Sequence, residues 1–127
     1  MPKTYRAALI YGPGDVRVEE VPWVDPKRDE VVIEIHQASI CPSDLREYRG
    51  IKAIDQVLRM GHEFAGVVAA VGSEVKGFRE GDRVVPQSWI SCGHCYNCRR
   101  GKQSACEDRV SNFGGFGEYA VVKESSL

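Results

Sequence analysis

The sequence has 127 residues, of which 43% are hydrophobic and 28% are charged, and its formal net charge is −1. This is the size and composition of one ordinary globular domain, and the balanced charge gives no reason to expect a nucleic-acid or membrane-surface partner. The longest apolar run covers residues 64–71 and is far shorter than the roughly 20 residues of a membrane helix, so we expect no membrane span. The first residues lead into a strand pattern and lack the apolar region of a signal peptide, which favours a cytoplasmic location.

Short strands separated by glycine and proline turns dominate the predicted elements. In chain order, the sequence predicts strands over 5–11, 16–21, 30–39, 64–71, 81–85 and 118–123, and one short helix over 42–48. The helix has Pro42 in its first turn and Gly50 after its end. In the third strand, Val31, Ile33 and Ile35 are expected to point inward, with polar residues between them.

This order of elements predicts a mainly β domain over residues 1–127, a barrel or sandwich with little helix. Strands and helices do not alternate, so we expect no doubly wound nucleotide-binding sheet. The glycine-rich stretches 12–14 and 114–117 lack the context of a dinucleotide-binding motif and are interpreted as turns.

A loop-like segment at about residues 86–112 carries four of the five cysteines, Cys92, Cys95, Cys98 and Cys106. In a reducing compartment clustered thiols usually hold a metal, and an odd number of cysteines cannot all pair as disulfides. Four thiolates suit tetrahedral Zn²⁺ in a closed, structural site. Such a cluster has a formal charge of −2, which we expect nearby basic residues to offset: Arg99, Arg100, Lys102 and Arg109.

Two other cysteine sites fit the spacing less well. An iron–sulfur cluster also uses three cysteines at this interval, but its usual last cysteine precedes a proline, whereas Glu107 follows Cys106 here. A nucleic-acid zinc ribbon normally uses two separated cysteine pairs. The sequence therefore favours zinc.

Cys41 and His62 are ambiguous when each is taken alone. A lone cysteine is commonly a small buried hydrophobe, and a lone histidine more often has a structural role. The chain, however, carries four motifs in order: Cys41-x-Ser43-Asp44, Gly61-His62-Glu63-Phe64-Ala65-Gly66, Gly81-Asp82-Arg83-Val84 and the four-cysteine segment. Together they resemble the zinc-dependent alcohol dehydrogenases of the medium-chain dehydrogenase/reductase superfamily, over almost the whole chain.

The resemblance implies a GroES-like, partly open β-barrel with short helices and a zinc-binding loop lobe. It implies that Cys41 and His62 are two ligands of a catalytic zinc, which activates an alcohol for hydride transfer to NAD(P)⁺. Ser43 then matches the hydroxyl that relays the alcohol proton, and Asp44 the carboxylate that orients the histidine ligand. Glu63 matches the carboxylate behind the zinc.

The sequence also departs from the family pattern. A complete relative has a third protein ligand and a Rossmann cofactor domain beyond the equivalent of Leu127, so we expect this chain to be inactive alone and its catalytic zinc site to be incomplete. The expected partners are that Rossmann domain, from the same gene or a separate chain, and a small alcohol or polyol, with an oligomeric parent allowed. Pro42 replaces a basic residue of classical alcohol dehydrogenases and favours the polyol and threonine dehydrogenase branches.

An alternative stays open, in which the chain is a stand-alone zinc-stabilised barrel that binds or folds without catalysis. His36 and His94 are assigned to no metal. Trp89 fits either the border of a substrate cleft or simple packing of the loop, and Tyr48 on the short helix is equally undecided.

Overall fold

Nine strands and two α-helices make up the fold in a computed structural model that describes residues 1–127. The strands are β1 (Thr4–Gly12), β2 (Asp15–Pro22), β3 (Glu30–Ser39), β4 (Leu58–Arg59), β5 (Glu63–Val71), β6 (Arg83–Val84), β7 (Trp89–Ile90), β8 (Val110–Ser111) and β9 (Tyr119–Lys123). The α-helices are α1 (Pro42–Tyr48) and α2 (Tyr96–Arg99), and 3₁₀ turns lie at Gln103–Ala105 and Glu124–Ser126. The prediction of a mainly β chain with short helices is confirmed.

The main core lies on a four-stranded antiparallel sheet in the order β6-β5-β3-β9. Its buried members come from four strands: Val31, Ile33, Phe64, Val68, Val84, Ala120 and Val122. As predicted, Val31 and Ile33 point inward, and Ile35 packs against the cluster. Val32 is buried as well, which strict alternation does not predict, and the pairing of β3 with β5 shifts register beside it.

A three-stranded sheet in the order β2-β1-β4 packs a smaller core beside the first. Three aromatic rings, those of Tyr5, Trp23 and Tyr119, meet edge to face with centroids 5.3 to 6.5 Å apart. Tyr119 belongs to β9, so this aromatic contact joins the two sheets. Both sheets remain open at their edges, in agreement with the expected partly open barrel.

The sequence missed the shortest elements. The expected strand over 81–85 has only two residues, because Gly81 adopts a φ of +93° and Asp82 closes a turn by accepting the backbone N–H of Arg79. Within residues 86–112, β7 and β8 form a two-stranded ribbon and α2 adds one helical turn. None of the helices has the length and apolar character needed to span a bilayer.

Candidate metal centres and the cleft beside them

The four cysteines of residues 86–112 converge on one point. The Sγ atoms of Cys92, Cys95, Cys98 and Cys106 all lie within 4.8 Å of one another, and none forms a disulfide. The Sγ atoms of Cys92 and Cys98 are 3.9 Å apart, close to the edge of about 3.8 Å that four zinc–sulfur bonds of about 2.3 Å give a tetrahedron. The donor set and its spacing therefore fit a structural zinc ion.

Backbone N–H groups hold these sulfur atoms in place. The N–H of Cys92 donates to Sγ of Cys106 at 3.3 Å, and that of Cys95 donates to Sγ of Cys92 at 3.4 Å. A hydrogen bond from the backbone of Glu107, with a second from Cys98, lowers the pKa of Cys95 to about 6. Burial raises the pKa of the Cys98 thiol to about 12.

The basic residues near the cluster do not share one role. Arg100 lies over the ring of Tyr96, with its guanidinium carbon 5.1 Å from the ring centroid. Arg109 lies instead over the ring of Trp89, at 5.9 Å. His94 does not belong to the group of metal donors formed by the four cysteines. Its Nδ1 donates to the backbone carbonyl of Cys92 at 2.8 Å.

A second group of metal donors forms where α1 begins and β5 begins. Cys41 precedes the helix, and Glu63 is the first residue of the strand, directly after His62. One ligand atom from each of the three lies within 4.8 Å of the others. A thiol, an imidazole and a carboxylate are donors that a catalytic zinc site accepts, with a further position left for substrate.

Asp44 contacts two members of this second group, Cys41 and His62. Its carboxylate is buried, accepts the N–H of Cys41 at 2.8 Å and places its other oxygen 3.4 Å from Nδ1 of His62. This contact favours the tautomer with hydrogen on Nδ1, which leaves the Nε2 lone pair free for a metal. The hydroxyl of Ser43 lies 3.4 Å from the same Nε2.

Gly61 fixes the backbone immediately before His62. Its φ is +84°, and a Cβ atom there would lie 2.6 Å from the ring and backbone nitrogen of Phe116. Its carbonyl oxygen accepts the N–H groups of Gly114 and Gly115, both at 3.0 Å. The glycine-rich turn is thus the support against which the histidine segment packs.

A cavity of about 370 Å³ opens beside the second group. Ser43, His62 and Glu63 line it together with seven residues from elsewhere in the chain: Glu47, Lys52, Ser88, Trp89, Arg109, Ser111 and Phe113. Trp89 therefore lies at the border of the cleft, which is one of the two positions that the sequence left open for it. Tyr48 and His36 are exposed and do not line the cleft.

Sequence reasoning missed Glu47, Lys52 and Arg109 at the cleft. Lys52 binds the buried carboxylate of Glu47 at 2.6 Å, although the two residues lie on opposite sides of a turn. The only sequence signal for Arg109 is that residues 109, 111 and 113 alternate along one side of an extended segment, and all three line the cleft.

The comparisons with known proteins agree with this architecture. The family model described as alcohol dehydrogenase GroES-like domain matches residues 27–127. An L-threonine 3-dehydrogenase of Marinomonas sp. (strain MWYL1) is 36% identical over an alignment that covers 94% of this chain and 37% of the relative. A sorbitol dehydrogenase of Bacillus subtilis (strain 168) is also 36% identical, over 85% of this chain and 32% of its own length.

The solved structures give the same result in three dimensions. The short chain alcohol dehydrogenase rspB of E. coli CFT073, determined with the cofactor NADH, superposes with a TM-score of 0.90 at 36% identity, and the match covers 98% of this chain and 38% of that one. This chain thus spans little more than a third of the length of its relatives. With a family model matching most of its residues, the chain belongs to the alcohol dehydrogenase GroES-like domain family.

Proposed function

We propose that residues 1–127 form the catalytic-domain portion of a zinc-dependent, NAD(P)-linked alcohol or polyol dehydrogenase, which oxidises a primary or secondary alcohol to a carbonyl. The observation that carries the proposal is the group Cys41, His62 and Glu63, whose ligand atoms lie within 4.8 Å of one another. His62 and Glu63 of this group line the cleft. Relatives about three times longer than this chain support a parent that supplies the cofactor domain and a further metal ligand.

In this proposal each side chain of the site has a distinct task. Cys41, His62 and Glu63 hold zinc, which when bound supplies Lewis-acid polarisation of the alcohol oxygen. Asp44 keeps the proton of His62 on Nδ1, so that Nε2 presents its lone pair to the metal. Ser43 faces the same cleft, and its Oγ accepts the alcohol proton while its own proton passes toward solvent.

The cluster of Cys92, Cys95, Cys98 and Cys106 has a different task in the proposal. It holds a second, structural zinc and pins a lobe that contains few buried apolar residues. All five cysteines are free thiols, which supports a reducing, cytoplasmic location.

The test uses the longer reading frame that contains this chain, with His62→Ala and the control His36→Ala. His36 is an exposed strand residue outside both cysteine groups. We expect His62→Ala to lose one zinc per chain and more than about a hundredfold in the rate of NAD(P)H formation, because a metal ligand is worth several kcal/mol to the reaction. His36→Ala should keep both.

Normal turnover and normal zinc content in His62→Ala would refute the proposal. A reading frame that stops after Leu127, with no partner chain that restores activity, would favour the alternative of a zinc-stabilised binding or folding module.

A further inference from the structure

Arg109 is the cleft's cation without a carboxylate partner. No carboxylate oxygen lies within 4.0 Å of a nitrogen of its guanidinium group. The other cation of the cleft, Lys52, is already neutralised by Glu47 at 2.6 Å. Glu63 is grouped with the metal donors, so the free negative charge of the cleft lies at the metal end.

Arg109 directly precedes β8 and lines the cleft beside the β7–β8 ribbon. Trp89 pairs with Ser111 and Ile90 with Val110, so neighbouring residues of the ribbon point to opposite sides. Arg109 and Trp89 line the cleft, whereas Ile90, Val110 and Asp108 line an adjoining cavity. The alternation therefore presents a cation to the cleft and keeps the adjacent carboxylate of Asp108 away from it.

Trp89 lines the same cleft as Arg109. Its indole N–H is buried and has no hydrogen-bond partner, which is a costly state for a donor. The Trp89 ring also carries the guanidinium of Arg109 on its face at 5.9 Å, which holds the cation on a planar support.

We propose that the cleft takes an alcohol that also bears an anionic group, a carboxylate or a phosphate, and that Arg109 binds this group. The inference rests on the proposed function, because it defines the substrate class of the same cleft. Arg109 forms charge-assisted, bidentate hydrogen bonds to the oxyanion at one end of the cleft. The hydroxyl to be oxidised then lies at the other end, beside Ser43 and His62.

The test measures binding to the zinc-loaded longer protein that contains this chain, so it does not depend on turnover. Two matched pairs of probes are titrated: glycerol 1-phosphate against glycerol, and 3-hydroxybutyrate against 2-butanol. The indole N–H resonance of Trp89 is the readout. We expect at least one anionic probe to bind about tenfold more tightly than its neutral partner, as one charge-assisted contact gives. Arg109→Gln should abolish the difference.

Arg99→Gln is the matched control, because it removes the same charge from the same lobe at a residue that does not line the cleft. It should keep the preference for the anion. Adenosine diphosphate serves as a probe of the cofactor's phosphates, and its binding should not depend on Arg109.

Several results would overturn the inference: equal binding within both pairs, a preference that survives Arg109→Gln, or an equal loss in Arg99→Gln. Loss of the cluster zinc in Arg109→Gln would assign the arginine to charge compensation of the thiolates instead. Adenosine diphosphate binding that alone requires Arg109 would assign it to the cofactor. If the longer protein oxidised no alcohol while Arg109-dependent anion binding persisted, the proposed function would have failed and the anion site would stand.

Discussion

Asp44 shows at the residue scale how one buried side chain organises the second metal group. Its two carboxylate oxygens serve different neighbours, the N–H of Cys41 and the ring of His62. Both neighbours are metal donors in our proposal, so Asp44 acts as a positioning residue for two ligands at once. Such partners of metal ligands commonly contribute 10-fold to 100-fold to metal affinity.

We therefore predict that Asp44→Asn weakens metal binding at Cys41 and His62 by about 10-fold to 100-fold, because an amide offers only one acceptor oxygen where two are used. Chelator competition measures the affinity. Zinc retained by the four-cysteine cluster reports that the variant is folded, and Asp55→Asn, at an exposed loop residue, is the control. Unchanged affinity in Asp44→Asn would show that the carboxylate has no part in holding the donors.

Close backbone contact governs the central strands at the element scale. Gly66 in β5 lies opposite Ile35 in β3, and a Cβ atom on Gly66 would be only 2.0 Å from the carbonyl oxygen of Glu34. The backbone of β3 cannot move away from such a Cβ atom without breaking its pairing with β5, so β5 requires glycine at this position.

Gly66→Ala is expected to lower the free energy of unfolding by at least about 2 kcal/mol, as overpacking in a tight core does. Urea denaturation measures the change. Gly12→Ala is the matched control, because a Cβ atom at Gly12 meets nothing within 4 Å. If both variants were equally stable, the tight approach of β3 and β5 would be wrong.

Two carboxylates anchor the ends of β9. Glu118 accepts the backbone N–H and the guanidinium of Arg6, and Glu124 accepts the N–H groups of Gly77 and Lys76. The backbone N–H groups are the main cause that lowers the pKa of both carboxyls below the usual 4.5. Because the unfolded chain binds protons more readily, this stabilisation is complete above about pH 4.5 and is lost as the pH falls through the lowered values.

Glu124→Gln should therefore flatten the acid side of the stability profile. We expect its unfolding free energy to depend less on pH below about 4.5 than that of the unsubstituted chain, whereas the control Glu80→Gln should change nothing. Glu80 is exposed and makes no hydrogen bond through its side chain. Denaturation curves at several acidic pH values check this, and parallel profiles for all three proteins would contradict it.

Sequence patterns predicted the elements whose determinants are local. The bounds expected for β3 and α1 agree with the structure, because alternation marks the strand and Pro42 marks the helix start. The β7–β8 ribbon has two residues per strand and too short a pattern to recognise. Its two strands lie on either side of the four-cysteine segment, so their pairing is not local and the position of Arg109 required the structure.

The whole molecule combines two open sheets with two groups of candidate metal donors, which form in different ways. One group is made within a single loop segment by Cys92, Cys95, Cys98 and Cys106, so it can form from local sequence alone. The other joins residues from two elements, Cys41 before α1 and His62 before β5, so it forms only when the sheets are folded. The cleft lies beside the second group.

A metal titration of the 127-residue chain, with cobalt as a spectroscopic substitute for zinc, tests the central claim most directly. We predict one tightly held ion that Cys98→Ser removes and His62→Ala leaves in place, because a closed four-thiolate site needs no other segment. A second, weaker ion should be lost in His62→Ala and in Cys41→Ser but retained in Cys98→Ser. A tightly held ion that survives Cys98→Ser, or a second ion indifferent to Cys41 and His62, would contradict the account.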